Sequence, residues 1–299
     1  NDKLRYITAL LLLMWLFCRH ASSTLDCEAL FEDVMTSILL LCTALAYAAG
    51  AIMYAQKTMS VKSHPRPIQS GIIYSFIFIA LSAHGYLLNT ILFHPSEANL
   101  SMINIANLLA WCMVVVLLVV GRLLGNLTLL PVTLGFGALC ALLMLLLPNT
   151  QPIIGTLTAG SILHIILSLT AYGCVVVALL YAYQMRFIHK QLKSKALSLS
   201  GLPPLLHVET WVYRLIGLGS ILLAFALFSG FATSTSMLTQ QHAHKTVLSL
   251  IALLVFFTAL VLHTRIGLST KHLTTLTAIG VILLTIGYFG SRFVREFLL

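Results

Sequence analysis

Charge is scarce in this chain. Asp, Glu, Lys and Arg make up 8% of its 299 residues while 59% are hydrophobic, whereas soluble domains carry roughly 25% charge. So few charges cannot coat a soluble protein of this length, and the composition points to a polytopic α-helical membrane protein. Other absences narrow the chemistry. No Walker loop, GxGxxG, HExxH or nucleophile elbow occurs, so nucleotide, zinc-protease and serine-hydrolase readings are excluded. None of the six cysteines forms a CxxC pair, which excludes a thiol oxidoreductase. Cys42, Cys112, Cys140 and Cys174 lie in apolar runs and are expected to be small buried packing residues. The formal charge of +9 does not argue for nucleic acid, because basic loops set membrane topology first.

What is present is a series of apolar runs. About 20 apolar residues cross ~30 Å of hydrocarbon at ~1.5 Å per residue. Eight such runs are expected at Val34–Ala55, Ile68–Leu92, Ile103–Leu123, Leu127–Leu147, Thr156–Met185, Tyr213–Phe231, Thr246–Thr264 and Leu273–Phe293. The fifth is expected to project from the membrane as a helix. Basic residues gather in alternate loops. Lys57, Lys62, Arg66, Arg122, Arg186, Lys190, Lys193, Lys195, Arg214, Arg265 and Lys271 fall on one side, against Lys245, Arg292 and Arg295 on the other. The positive-inside rule then places both ends of the bundle outward. The basic end of the fifth helix, Lys190 to Lys195, meets anionic headgroups or a cytoplasmic partner, or simply enforces topology.

Residues 1–33 differ from the eight-helix domain at 34–299. Lys3 and Arg5 precede a short apolar run, and Ala21 and Ser23 are small residues near a possible cleavage point. Two readings stay open: a signal-like segment, or an upstream extension to a chain that starts at Met35. "GRLLG" at Gly121–Gly125 formally matches GxxxG but falls at a turn, where a turn or packing role is expected.

The eight runs contain no Asp or Glu. Proton-coupled pumps and ion carriers usually keep such a group in the membrane. Histidine is the only deeply placed residue type that titrates near neutral pH. Of eleven histidines, His84, His164 and His263 lie inside spans, while the others fall in tails, in loops or, for His207, just ahead of the sixth span. Ser161, His164, Ser168 and Tyr172 share one helical face and form a narrow polar stripe in "SILHIILSLTAYG". Such a stripe is expected to face the bundle interior, with one imidazole nitrogen bonded to a serine hydroxyl and the other free for a ligand. By rise per residue, His84 and His164 could meet in the outer half of the membrane, while His263 lies near the cytoplasmic face and would serve a second site or a passage route. The bland alternative is that each histidine simply bonds across helices, worth ~0.5–1 kcal/mol. Imidazoles without carboxylates suit haem iron, copper or zinc. No methionine or cysteine cluster supports copper, and a large apolar macrocycle suits lipid-like walls.

The blocks "LLHVETWVYRLIGLGSILLAFALFSG", "KTVLSLIALLVFFTALVLHTRIGLS" and "AIGVILLTIGYFGSRF", with "HPSEANLSMINIANLLAWCM" and "SILHIILSLTAYGCVVVALLYAYQ", resemble the cytochrome c assembly protein family. That family includes CcmC-, CcsA- and HemX-type haem-handling membrane proteins, and the resemblance runs from about Met35 to Leu299, nearest a bacterial inner-membrane subgroup. It implies haem as cofactor, cytochrome maturation components as partners and no enzymatic activity. Family histidines fall on His164 and on His263 in its "LHTR" context, and less securely on His84, as candidate axial ligands. Ser161, Ser168 and Tyr172 would then support the site. Two departures stand out. The family's tryptophan-rich outer segment is replaced by "FATSTSMLTQQHAHKTV", and no histidine follows the final span. The resemblance therefore implies haem binding or handling more than delivery to apocytochrome. Two readings from other classes remain: a cofactor-free carrier of small solutes, and a structural or regulatory membrane subunit. Inverted repeats would mark the first; Gly135-Phe136-Gly137 and Gly217–Gly219 make no convincing pair.

Overall fold

In lipid every backbone N–H and C=O must be satisfied within the chain, which leaves an apolar sequence little choice but helices. A computed structural model describes residues 24–59, 67–92, 98–125, 127–147, 154–155, 158–193, 204–233 and 243–293. Among the described residues eight long helices carry the fold: α1 (Thr24–Met59), α2 (Pro67–Leu92), α3 (Met102–Leu124), α4 (Leu130–Leu146), α5 (Ala159–Lys193), α6 (Leu205–Thr233), α7 (Ala243–Ile266) and α8 (Thr270–Thr285). A π-helical turn at Ile286–Gly290 and a last turn, α9 (Ser291–Phe293), extend α8. Seven of these segments are long and apolar enough to cross a membrane. The other, α4, has 17 residues, or ~25 Å, and is short for the ~30 Å slab.

The ends are set by local chemistry. Ser101 caps α3 by accepting from the Asn104 N–H, and Ser269 caps α8 by accepting from the His272 N–H. Pro131 sits in the first turn of α4, where its missing N–H costs nothing. Gly125 closes α3 at φ +64°, donating to the carbonyls of Gly121 and Arg122. The "GRLLG" stretch is thus a left-handed helix terminus, as its position at a turn implied.

The eight apolar runs became eight helices, with differences at the ends. The first helix starts at Thr24, ten residues ahead of Val34, and residues 1–23 lie outside those described. The sixth starts at Leu205 rather than Tyr213. The 35-residue α5 spans ~52 Å, so it outruns a bilayer core and carries Arg186, Lys190 and Lys193 on the excess.

Successive helices run antiparallel: Tyr47 and Gly50 of α1 meet His84 and Ile77 of α2, His164 and Ala171 of α5 meet Ala226 and Gly219 of α6, and Phe256 and Leu248 of α7 meet Gly280 and Gly287. Helices α1–α4 pack together, α5–α8 pack together, and α3 against α5 joins the two halves. The tightest seam lies between α5 and α6. A Cβ built on Gly219 would come within 2.6 Å of Val175 Cγ1, so glycine is what lets the backbones approach. Gly280 of α8 takes the Phe256 ring of α7 in the same way.

Odd-numbered helices α1–α7 therefore begin at one end of the bundle. At that end a two-residue ribbon pairs Ala98–Asn99 antiparallel with Ile154–Gly155, tying the α2–α3 connection to the α4–α5 connection. The opposite, basic end holds Lys57, Arg122, Arg186, Lys190, Lys193, Arg265 and Lys271. Large apolar side chains such as Phe78, Leu123, Phe228 and Ile266 point outward from the bundle, as a lipid-facing belt requires. Cysteines divide accordingly. Cys140 and Cys174 are buried and Cys112 partly so, but Cys42 is exposed, contrary to expectation. An apolar run in a membrane has two apolar destinations, core and lipid, and sequence does not distinguish them.

Candidate functional site

His164 stands in the second turn of α5, where the ribbon end of the bundle begins. Its Nδ1 lies 2.8 Å from the Ala226 carbonyl oxygen of α6 and 3.3 Å from Ser229 Oγ. A carbonyl can only accept, so the ring N–H is on Nδ1 and Nε2 carries the lone pair. This is how a ligating imidazole is usually held: one nitrogen anchored on backbone, the other offered outward. Ser229 also donates to the Ala226 carbonyl at 2.9 Å, which makes the anchor a three-membered cluster.

His164 lines a cavity of about 300 Å³, at the lower end of the roughly 300–1,000 Å³ range of ligand pockets. Leu100, Ile105, Ile165, Leu169, Leu223 and Leu227 give it apolar walls. Ser168, Thr246, Ser249 and Tyr288 add polar groups, and Lys245 and Arg292 add positive charge. No Asp or Glu is among the described residues that line it. Apolar walls, one imidazole and two cations make a donor set that fits a flat apolar macrocycle with acidic substituents, such as haem. Among the described residues no three His, Cys, Asp or Glu side chains gather in the manner of a bare metal-ion site.

One wall of the cavity depends on the π-helical turn. An extra residue in that turn re-aims the chain, and such turns recur at functional sites. Here Tyr288 lines the cavity, with Gly287 beside it. Tyr172 of α5 stacks on Tyr288 with centroids 5.5 Å apart and planes 6° from parallel, and Phe289 leans on the same ring at 49°. The Tyr172 hydroxyl lies 2.6 Å from Thr285 Oγ1, one residue ahead of the π turn. Tyr172 thus supports the wall from beneath.

The polar stripe of α5 divides into three roles. Ser168 lines the cavity one turn below His164 and donates to the Ile165 carbonyl. Ser161 does not reach the histidine. Its N–H and hydroxyl engage Thr158 Oγ1 at 3.2 and 2.9 Å, as part of the helix N-cap. The serine that meets His164 is Ser229 of a neighbouring helix.

His84 is fully buried within α1–α4 and does not line the cavity. Its Nδ1 lies 3.2 Å from the Tyr47 hydroxyl, with the rings edge to face. Among the described residues, Nε2 and Oδ1 of Asn107 are both buried without a hydrogen bond of good geometry, although the Asn107 side chain is close enough to interact with the ring. Asn107 itself donates to the carbonyls of Ile103 and Cys140. Tyr47, His84, Asn107 and Cys140 come from four successive helices, so this is a polar knot at the centre of the first half. The level meeting of His84 with His164 that rise per residue permits does not form a shared site.

His263 lies in the last turn of α7, at the basic end. It stacks on Tyr213 of α6 with centroids 3.2 Å apart, and among the described residues neither His263 Nδ1 nor the Tyr213 hydroxyl, both buried, has a hydrogen-bond partner. Glu209 stands one turn away on α6. Along α6, the His164 contact at Ala226 and the His263 contact at Tyr213 are ~20 Å apart. Side chains that far apart could not hold one iron between them. His164 and His263 stand at opposite ends of the bundle.

Four residues of the site escaped sequence reasoning: Ser229, Tyr288, Lys245 and Arg292. A signal existed for the last two. They are two of the three basic residues on the side of the chain that otherwise shuns Lys and Arg.

The family model described as "Cytochrome C assembly protein" matches residues 70–299. The chain belongs to the cytochrome c assembly protein family. Inner membrane protein YpjD of Escherichia coli strain K12 is 29% identical over 221 residues, covering 73% of this chain and 84% of that protein, and YpjD of E. coli O157:H7 matches to the same extent. A 28.8 kDa protein of Azospirillum brasilense, described as uncharacterized, is 30% identical over 142 residues, covering 46% of this chain and 52% of its own. No solved structure matches. The chain is accordingly a multi-pass helical membrane protein related to cytochrome c assembly proteins.

Proposed function

We propose that this protein is a haem-binding, haem-handling component of the bacterial inner membrane, not an enzyme, with the His164 cavity as its haem site and cytochrome maturation components as its partners. The observation that carries this reading is the anchored imidazole: Nδ1 donates to the Ala226 carbonyl and leaves Nε2 as a ligand within apolar walls. Inner-membrane placement is supported by the YpjD relationship and by the segregation of basic residues to one end, which would face the cytoplasm and set the cavity end outward.

In this reading His164 would ligate the iron through Nε2, Tyr288 would lie against the macrocycle, and the leucine and isoleucine walls would exclude water. Haem supplies an iron that can change oxidation state and a coloured, light-absorbing centre. The residues around it would orient and shield it. His263 and Tyr213 would form an inner waypoint, and His84 would be structural.

The test is spectroscopic. Protein purified from cells supplied with haem should show a Soret band, and His164→Ala should diminish it strongly. A band of unchanged position and intensity in that variant would refute the assignment.

A further inference from the structure

An aromatic ring alone makes an apolar wall, yet the π-turn wall of this cavity is built with a tyrosine. Phe289, the next residue, packs on Tyr172 with no hydroxyl at all. Placing a hydroxyl among apolar walls costs free energy unless the group is used. The Tyr288 hydroxyl is close enough to Ser168 to interact with it. Ser168 gives its own proton to the Ile165 carbonyl, so toward the phenol it accepts, which leaves the phenol lone pairs for the cavity. His164 is held in the same manner, with one atom anchored and another offered.

We propose that Tyr288 is a second ligand to iron in this cavity, binding through its phenol oxygen as phenolate in company with His164 Nε2. The inference rests on the haem reading and deepens it by naming the ligand set. Imidazole and phenolate are both haem ligands, and among the described lining residues His164 and Tyr288 alone supply them; Cys and Met are absent from that set. The Lys245 amine has a contact of its own. Both donors meet one stretch of α5, because Ser168, beside the phenol, is one turn or ~6 Å along the axis from His164. Tyr288 is also held in place. The π turn aims it, Tyr172 stacks on it in nearly parallel planes, and Tyr172 is itself tied to Thr285. On binding, the phenol O–H bond breaks, the oxygen–iron bond forms and the proton leaves to water, with no electron transferred. Ser168 can then turn its hydroxyl from Ile165 to the phenolate. An anionic ligand favours ferric over ferrous iron, so the site should hold oxidised haem.

The experiment loads the full chain in lipid nanodiscs with ferric haem and records resonance Raman spectra in the phenolate-to-iron charge-transfer band. Protein grown on ring-deuterated tyrosine should show enhanced phenolate modes moved to lower frequency. Tyr288→Phe should lose those modes and keep a Soret band. Wild-type protein with a His164-dependent Soret band but no deuterium-sensitive modes would overturn the ligand assignment and leave the haem reading standing. Modes that persist unchanged in Tyr288→Phe would also overturn it. Tyr288 is the one tyrosine among the described lining residues, so the isotope result on wild-type protein decides even if the variant fails to fold. If no Soret band forms at all, it is the haem reading that fails.

Discussion

His164 and Ala226 are 62 residues apart in sequence and 2.8 Å apart in space, joined through a ring nitrogen and a backbone carbonyl. Because the acceptor is main chain, no substitution on α6 can remove it without moving the helix. The imidazole is therefore oriented by the fold itself, and Ser229 only reinforces the arrangement.

Ser229→Ala should accordingly retain a Soret band and weaken haem affinity by several-fold, whereas His164→Ala should remove most of the band. Haem titration followed by absorbance separates the two outcomes. Loss of the band in Ser229→Ala would mean that the carbonyl anchor is insufficient.

His84→Leu should leave the Soret band where it is, because His84 does not line the cavity. It should lower stability by ~1–3 kcal/mol, since the Tyr47 hydroxyl is then buried without its partner. Tyr47→Phe should show a loss of similar size. Thermal unfolding in detergent measures both, and a shifted Soret band in His84→Leu would bring His84 into the site.

Gly219 and Gly217 are two residues apart on α6 and should respond in opposite ways. A methyl on Gly219 meets Val175 and the Ala171 carbonyl, so Gly219→Ala should destabilise by ~1–3 kcal/mol. Nothing lies within 4 Å of a Cβ at Gly217, so Gly217→Ala should stabilise by ~0.5–1 kcal/mol through helix propensity. Paired melting curves decide this, and equal shifts would contradict the packing at the α5–α6 seam.

Orientation can be read by labelling. Single cysteines at His244 and His189, both exposed and at opposite ends of the bundle, should react differently with a membrane-impermeant maleimide on spheroplasts. Position 244 should label on intact spheroplasts and position 189 only after lysis. The reverse pattern would invert the topology.

Much of this molecule was legible in the sequence because lipid imposes simple rules. Apolar run length located eight helices, and the scarcity of acidic residues turned attention to histidine. The 3.6-residue period put Ser168 and Tyr172 on the His164 face, where they are found. That period could not foresee that Thr158 would draw Ser161 into a helix cap, because local capping competes with the face pattern. Nor could it foresee Ser229, whose approach depends on how α6 settles against α5. The π-helical turn was also hidden: "TIGYFGS" reads as a plain continuation of an apolar span, and only packing against Tyr172 shows that Tyr288 turns into the cavity. Lys245 and Arg292 were visible as anomalies of charge, but their convergence on one cavity needed three dimensions.

The cavity draws Leu100 and Ile105 from the first half of the bundle, His164 and Leu223 from the middle, and Tyr288 and Arg292 from the last described residues. A bundle in which the segment bearing Tyr288 and Arg292 has not yet docked has no such pocket to offer. Closure of the cavity is thus a late step of assembly: the last wall to arrive is the one that turns an open groove between helices into an enclosed chamber.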